Sequence, residues 1–268
     1  MPSSLLVDNL ATQVASLWRR KQAPLLLAIS GMQGSGKSTL SQNLIKQLYG
    51  DNITGVAVSL DDFYFDANER AQLAQQVHPL YQQRGLPGSH DLALLQQVLC
   101  DFKQQRALLL PVFDKASDNK LSKSQWRPVP EGAQVLIVEG WCVGVTAQPA
   151  AQLGYDVNDF ERKHDHDGYF RHCVNRLLAT NYQEVFEQFD GLVFLNGQSF
   201  SRVYRWRLQQ EHALRAQTGK GMTDEEVLAF IQPFQRLSEW AVTSLSESAN
   251  VVVDLGEDRE VLTVRGQL

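Results

Sequence analysis

The sequence has few cysteines and no long apolar run. Its three cysteines stand at positions 100, 142 and 173, and none of them forms a CxxC pair. An odd and scattered set predicts neither a disulfide framework nor a zinc site, and it fits a reducing compartment. The longest apolar stretches, such as 24–29 and 135–138, are far below the roughly 18 residues of a membrane-spanning helix. We therefore expect no membrane span and no membrane partner.

The chain also lacks an excess of basic residues. Its 25 Lys and Arg and its 30 Asp and Glu give a formal net charge of -5. This balance is too acidic for a protein that coats nucleic acid by neutralising its phosphates. We therefore expect no nucleic-acid partner, and a small anionic ligand would need a local basic site.

The N-terminal segment has the pattern of a helix. Apolar residues recur at helical spacing over the first twenty residues, and the acidic Asp8 stands inside the run. This pattern predicts an amphipathic helix rather than a signal or transit peptide. We therefore expect a mature chain that starts near Met1 and a cytoplasmic location.

Five short apolar runs alternate with helical patterns along the chain. Each run has the composition of a strand that is buried on both faces. The predicted strands are 25–30, 55–60, 134–138, 192–195 and 250–253, and helical patterns cover 39–48, 91–105 and 169–186. This alternation predicts an α/β protein, in which a five-stranded parallel sheet lies between two layers of helices.

The 268 residues could form one large domain or two modest ones. No repeat and no linker composition is present, so we expect a single domain over 1–268. Within it, the segment near 199–222 is expected to form a helical lid and the segment near 148–168 an irregular insertion. The cluster His164 to Asp167 lies in that insertion. It has no second ligand group at helical or strand spacing, which favours a solvated loop over a metal site.

A glycine-rich motif directly follows the first predicted strand and runs into a helical pattern. Residues 31–39 read GMQGSGKST and match GxxxxGK[ST], the P-loop. In this motif successive backbone N–H groups turn toward a phosphate, the lysine reaches the β- and γ-phosphates, and the hydroxyl after it can bind Mg²⁺. The alternative is a glycine turn that binds nothing. The predicted nucleotide-binding residues are Gly31, Gln33, Gly34, Ser35, Gly36, Lys37, Ser38 and Thr39.

Acidic residues follow the second and third predicted strands. In an open parallel sheet, ligands lie beyond the carboxyl ends of the strands. Asp61 and Asp62 follow the second strand, and one of them could accept the proton of a hydroxyl that attacks the γ-phosphorus. The alternative is that they cap the following turn. Glu139 follows the third strand and is the expected second anchor of Mg²⁺ beside Ser38.

Further motifs accompany the P-loop. They are LDDFY at 60–64, HP at 78–79, RGLPGSHD at 84–91, PVFD at 111–114, EGW at 139–141 and RLQQE at 207–211. This combination resembles the D-glycerate 3-kinase family of the plant type and its microbial relatives, which is similar in turn to uridine kinase, phosphoribulokinase and pantothenate kinase. The resemblance covers most of the chain, from the P-loop to about residue 227, and the 84–91 and 207–211 motifs are its most specific parts.

The resemblance implies roles for the acidic residues and for the acceptor pocket. Asp61 falls on the catalytic base and also, with Ser38 and Glu139, on the Mg²⁺ site. The acceptor pocket would be lined by Asp62, Tyr64, Arg84 and His90. Arg84 or His90 would suit a carboxylate, since a guanidinium can bind it in a bidentate way. The alternatives are that Arg84 is a surface residue and that His90 only begins a helix.

Basic residues also open the helical pattern after the fourth strand. Related kinases place lid arginines over the phosphates, where they stabilise transition-state charge and exclude water. Arg202 and Arg205, together with Lys37, are therefore the predicted catalytic cations. The alternative is a solvated helix face on which Arg207 pairs with Glu211. In the relatives, the loop that follows the fifth strand holds adenine.

These features predict an ATP-dependent kinase that needs Mg²⁺ and phosphorylates a hydroxyl of a small metabolite. The resemblance favours D-glycerate, converted to 3-phosphoglycerate. A nucleoside, sugar-phosphate or pantothenate-type kinase has the same chemistry with another acceptor. A P-loop regulatory ATPase is a further alternative, although the pair at 119–120 lacks the aspartate of a guanine-specific NKxD element. The expected assembly is a monomer or a homodimer.

Overall fold

A six-stranded sheet forms the centre of the protein in the computed structural model, which describes residues 4–268. The strands, in chain order, are β1 (Leu25–Gly31), β2 (Gly55–Ser59), β3 (Leu109–Leu110), β4 (Phe113–Asp114), β5 (Asn119–Lys120), β6 (Arg127–Pro128), β7 (Val135–Gly140), β8 (Gly191–Asn196), β9 (Val251–Leu255) and β10 (Val261–Gly266). The main sheet has the order β10-β9-β8-β1-β7-β2, while β3 pairs with β6 and β4 with β5 in two small ladders. Strands β2, β7, β1, β8 and β9 are parallel, as predicted.

The sixth strand corrects the predicted five-stranded sheet. β10 pairs with β9 in the antiparallel direction, with a register shift between Val261 and Thr263. Most of its residues are exposed, including Leu262 and Val264. A strand at a solvated edge needs no continuous apolar run, and such runs were the signal for the other five strands.

Helices cover both faces of the sheet and complete the predicted three layers. They are α1 (Ser4–Lys21), α2 (Lys37–Gly50), α3 (Ala67–Gln76), α4 (Leu92–Lys103), α5 (Asp159–His164), α6 (Tyr169–Leu177), α7 (Gln183–Phe186), α8 (Phe200–Thr218), α9 (Asp224–Ile231) and α10 (Gln235–Ser248). Successive residues of β1 alternate between the two cores. Leu27 packs with residues of α1 and α2, whereas Leu26 packs with residues of α4, α6 and α10. A π-helical turn over 178–182 joins α6 to α7, so the predicted helix at 169–186 is continuous.

The insertion at 148–168 is more ordered than the sequence suggested. It contains a 3-10 turn (Ala150–Leu153) and α5. Asp165 is only 2% exposed and accepts hydrogen bonds from the backbone N–H groups of Phe170 at 2.7 Å and Arg171 at 3.0 Å. The predicted solvated loop is therefore wrong for Asp165, although His164 and His166 are exposed.

Two further findings apply to residues 4–268. No helix in this part of the chain is both long enough and apolar enough to cross a membrane. The same residues include no cluster of three or more His, Cys, Asp and Glu side chains that could hold a metal ion.

The sheet order brings the P-loop, Asp61 and Glu139 together at the carboxyl ends of the parallel strands. β7 lies between β1 and β2, and its Glu139 is in register with Ile29 of β1 and Ser59 of β2. The P-loop follows β1 and the turn that carries Asp61 follows β2. Both segments therefore meet at Glu139, at the carboxyl end of the strands.

Candidate active site

The P-loop has the backbone conformation that its glycines allow. Gly34 and Gly36 have φ angles of 79° and 94°, in the left-handed region that side chains disfavour. A Cβ atom on Gly34 would also lie 2.8 Å from the Cβ atom of Trp206 in α8. Lys37 begins α2, and its Nζ atom donates to the carbonyl oxygen of Met32 at 3.1 Å. The loop thus ends on a helix N-terminus, which favours a bound phosphate.

Ser38 and Glu139, the two predicted Mg²⁺ ligands, are hydrogen-bonded to each other. The Ser38 hydroxyl donates to Oε1 of Glu139 at 2.6 Å, and the glutamate side chain is buried at the end of β7. A hydroxyl and a carboxylate are hard oxygen donors, and Mg²⁺ in nucleotide sites takes one or two such protein ligands beside phosphates and water. The two residues therefore fit a Mg²⁺ site that a bound nucleotide would complete.

Asp61 lies in a 3-10 turn (Leu60–Phe63) that directly follows β2. The Ser59 hydroxyl accepts the Asp61 backbone N–H at 3.2 Å and fixes the start of this turn. The Asp61 carboxylate accepts the Tyr64 hydroxyl on Oδ1 at 2.8 Å and the Lys115 ammonium on Oδ2 at 2.7 Å. Burial alone would raise the pKa of Asp61, but the charge and hydrogen bond of Lys115 and the Tyr64 hydrogen bond hold it below its usual range. The carboxylate is therefore ionised and could accept a proton.

The P-loop lysine is within electrostatic reach of both carboxylates. Burial lowers the pKa of Lys37 below its usual range, while the negative charges of Glu139 and Asp61 act in the opposite direction. A cation for phosphate groups is thus electrostatically coupled to the candidate base and to the candidate metal ligand. It is the combination that phosphoryl transfer requires.

The Asp62 carboxylate accepts hydrogen bonds from two backbone N–H groups. Its Oδ1 accepts the N–H of Phe113 at 3.1 Å and its Oδ2 accepts the N–H of Ser59 at 3.3 Å. Burial raises the pKa of this carboxyl, against the effect of these hydrogen bonds. The capping alternative thus describes Asp62, and its contact with an acceptor stays a prediction.

Tyr64 and His90 lie together, but His90 is not a cation. The two rings stack with their centroids 4.6 Å apart, and His90 Nδ1 lies 2.6 Å from the hydroxyl of Tyr182. Burial lowers the pKa of His90 to about 4, so the imidazole is neutral near neutral pH. His90 therefore offers no positive charge to a carboxylate. Its other ring nitrogen, Nε2, is buried and has no hydrogen-bond partner among residues 4–268.

Arg84 is near the same cluster but is already paired. Its guanidinium forms an ion pair with Asp118 and lies over the ring of Phe113, 5.7 Å from the centroid. The buried Arg70 binds the other oxygen of Asp118. The Phe113 ring in turn contacts Tyr64 edge-on at 5.5 Å. Arg84 therefore borders the predicted acceptor pocket with Asp118 as its partner.

Lys115 is the functional candidate that the sequence analysis missed. It lies on the connection between β4 and β5, and its side chain is 61% exposed. The available signal was a basic residue directly after the PVFD motif at 111–114. Tyr182, which holds His90, gave no signal because it lies inside a helical pattern.

Of the two predicted lid arginines, Arg202 binds the end of β9 and Arg205 binds the loop that follows it. Arg202 donates to the carbonyl oxygens of Leu255 and, at 3.3 Å, Gly197. Arg205 pairs with Glu257 and lies 3.7 Å from Asp258. Their role over the phosphates stays a prediction.

Arg207 pairs with Glu211 on the same helix, as the alternative for this helix proposed. Its Nη2 lies 2.6 Å from Oε1 of Glu211, which is itself buried. Glu211 also accepts the backbone N–H of Met222 at 3.0 Å. The RLQQE motif thus fastens the end of α8 to the segment before α9.

A cleft of about 390 Å³ opens between the P-loop, α8 and the turn that connects β9 to β10. Thr39 of α2, Gln209 and Gln210 of α8, and Leu255 line it. Arg259 closes one side, since it donates to the carbonyl oxygen of Gly34 and lies over the Trp206 ring at 5.2 Å from the centroid. The position beside the P-loop suits the base of a nucleotide.

Similar sequences show the family to which this chain belongs. A sequence model of the phosphoribulokinase / uridine kinase family matches residues 26–157. The "Uncharacterized kinase mug58" of Schizosaccharomyces pombe is 36% identical over 256 residues, which cover 92% of this chain and 91% of that protein. The chain belongs to the phosphoribulokinase / uridine kinase family.

The resemblance to D-glycerate 3-kinases is confirmed as well. The chloroplastic D-glycerate 3-kinase of Arabidopsis thaliana is 31% identical over 221 residues, which cover 79% of this chain and 46% of that protein. The structure of the D-glycerate 3-kinase from Cryptococcus neoformans has a TM-score of 0.83 at 27% identity and covers 97% of this chain and 99% of that one. This member of the family is a small-molecule kinase with the P-loop fold.

Proposed function

We propose that this kinase transfers the γ-phosphoryl group of ATP to a hydroxyl of D-glycerate and forms 3-phosphoglycerate. One observation carries the proposal: the ionised Asp61 is paired with an exposed cation, Lys115, and it follows β2 next to Glu139, which accepts the hydroxyl of the residue after the P-loop Lys37. A base, a phosphate-binding cation and positive charge for a carboxylate-bearing acceptor are thus close together. The likeness to two D-glycerate 3-kinases supports the same acceptor.

The chemistry follows from these positions. The acceptor hydroxyl hydrogen-bonds to Asp61, and its oxygen forms a bond to the γ-phosphorus while the bond from that phosphorus to the ADP oxygen breaks. The hydroxyl proton passes to the Asp61 carboxylate. Lys37 stabilises the charge on the phosphoryl oxygens. Trp206 of α8 is fully buried against the P-loop, which helps to exclude water from this region.

Ser38 and Glu139 are the residues that would hold Mg²⁺. The ion, when bound, neutralises negative charge on the nucleotide phosphates. The buried Glu139 carboxylate already accepts the Ser38 hydroxyl, so the two donors are oriented before any nucleotide enters. This pre-formed pair reduces the reorganisation that binding requires.

Glu139→Gln is expected to raise the concentration of free Mg²⁺ that activity requires. The amide keeps one oxygen but loses the charge, and changes at groups that support a metal site lower metal affinity by about 10- to 100-fold. Activity measured against free Mg²⁺ at fixed ATP should show the midpoint moving to higher concentration by that factor. Glu131→Gln, at an exposed glutamate before β7, is the control and should leave the midpoint in place. An unchanged midpoint in a folded Glu139→Gln protein would remove this residue from the metal site.

An acceptor screen tests the proposed reaction. Purified protein with ATP and Mg²⁺ is offered D-glycerate, L-glycerate, uridine, ribulose 5-phosphate and pantothenate, and ADP release is followed. We expect D-glycerate to give the highest kcat/KM, with 3-phosphoglycerate as the product. Transfer to another member of the panel, with none to D-glycerate, would assign the nucleoside, sugar-phosphate or pantothenate alternative. Slow hydrolysis that no acceptor stimulates would instead favour a regulatory ATPase.

A further inference from the structure

The Asp61 carboxylate has a hydrogen-bond partner on each oxygen. Tyr64 donates to Oδ1 at 2.8 Å and Lys115 donates to Oδ2 at 2.7 Å. An acceptor hydroxyl must come within hydrogen-bond distance of one of these oxygens before its proton can be transferred. Each oxygen has a second lone pair, so the hydroxyl can bind beside the partner already there or replace it, and replacement is open only to a partner that can move.

Tyr64 is not the partner that moves. Tyr64 is only 3% exposed, and its ring contacts the rings of both His90 and Phe113. Its backbone also forms an isolated bridge with His90. Displacing a packed aromatic side chain of this kind would cost its contacts with both neighbouring rings.

Lys115 can move without any repacking of its neighbours, so the ion pair with Asp61 is the interaction that its movement breaks. Its side chain is 61% exposed, and among the described residues its only side-chain hydrogen bond is the one to Asp61. The connection that carries it is held independently. Asp118 binds Arg70 and Arg84, and Asp114 accepts the backbone N–H of Ser117 at 3.1 Å. The ammonium can therefore swing on its flexible stem while its backbone stays beside the pocket.

Charge decides which acceptors this movement favours. Breaking the ion pair for a neutral acceptor leaves Lys115 without a counter-charge. An acceptor with an anionic group near its hydroxyl supplies a new partner for the ammonium as the hydroxyl takes its place on Asp61. Arg84 cannot do this without breaking its pair with Asp118.

We propose that Lys115 selects anionic acceptors by exchanging the Asp61 carboxylate for the anionic group of the acceptor. The inference rests on the proposed function, since it assigns the residue that recognises the acceptor in the same site. Lys115 thereby has two effects. It pairs with the Asp61 carboxylate when no acceptor is bound, and it stabilises only a bound acceptor whose anionic group replaces Asp61 as its partner.

Lys115→Met tests the exchange. A hydrogen bond to a charged group is lost, so KM for D-glycerate should rise about 10- to 100-fold, while KM for ATP stays unchanged. Glycerol, which has the hydroxyls without the carboxylate, should show equal or higher kcat/KM in the variant than in the wild type. Lys115→Arg should recover most of the D-glycerate affinity. Lys123→Met, at an exposed lysine that lies over Trp126, is the control and should leave all these constants unchanged.

The outcomes separate this inference from the proposed function. A higher KM for ATP with an unchanged KM for D-glycerate would show that Lys115 binds the nucleotide. An equal loss of kcat/KM with D-glycerate and with glycerol would show that Lys115 has a role that does not depend on the charge of the acceptor. Either result overturns the exchange. Calorimetric binding of both acceptors to the MgADP complex makes the same comparison if glycerol turns over too slowly. If the wild type uses a different anionic acceptor, the proposed function fails, and the same comparison on that acceptor decides the exchange. A neutral preferred acceptor, or no acceptor in the panel, overturns both.

Discussion

Asp61→Asn is expected to lower kcat with D-glycerate by about 10²- to 10⁴-fold, the usual contribution of a positioned general base. The amide has nearly the same shape, and its oxygen can still accept the Tyr64 hydroxyl that now bonds to Oδ1. It cannot take up the proton of the acceptor, however. Steady-state turnover measures the loss, and calorimetric titration with ADP and Mg²⁺ should show that nucleotide binding is retained.

Asp62→Asn is the matched control, one residue further along the same turn. Asp62 accepts two backbone N–H groups, from Phe113 and Ser59, and an amide can accept with only one of its two terminal atoms. We therefore expect a lower Tm with kcat near that of the wild type. The reverse pattern, in which Asp61→Asn keeps its turnover and Asp62→Asn loses it, would transfer the role of base to Asp62.

The clearest strand predictions come from segments whose burial is uniform. β1 and β7 are buried at every position, so their segments 25–29 and 135–138 read as unbroken apolar runs. The P-loop is recognisable because its spacing is fixed by phosphate geometry. β10 has water on most of its surface, and its identity as a strand depends on β9 beside it. No local pattern specifies that pairing.

The same distinction holds for the candidate site. Asp61 and Glu139 lie at or directly after the ends of predicted strands, so the topology alone brings them to the P-loop. Lys115 reaches Asp61 from a connection 54 residues further along the chain, and Arg259 reaches Gly34 from the far end of the sheet. Such contacts depend on how the loops fold over the sheet, which periodicity does not encode. The likeness to a family could point to the segments, but not to these pairs.

The largest expected loss of stability is at Arg236, in the network that holds the 148–168 insertion to α10. Arg236 is 6% exposed and binds both oxygens of the Glu161 carboxylate, at 2.7 and 2.6 Å. It also donates to the carbonyl oxygens of Gln152 and Tyr155. Arg236→Met would leave the Glu161 charge buried, which costs about 3 to 5 kcal/mol. Thermal unfolding should show a Tm lower by on the order of 10 °C.

The neighbouring Arg171 does not replace Arg236. Its Nη1 lies 4.0 Å from Glu161 but is already paired with Asp156 at 2.9 Å. Adding Glu161→Gln to Arg236→Met should therefore recover part of the lost stability, because the double variant buries no unpaired charge. Arg162→Met, whose 63% exposed side chain pairs with an exposed aspartate, is the control and should change stability by no more than about 1 kcal/mol. A loss at Arg236→Met as small as that of the control would show that Glu161 finds another partner.

Because none of these residues contacts the P-loop or Asp61, KM for ATP and D-glycerate should stay unchanged in the folded fraction, which separates this structural network from the catalytic one.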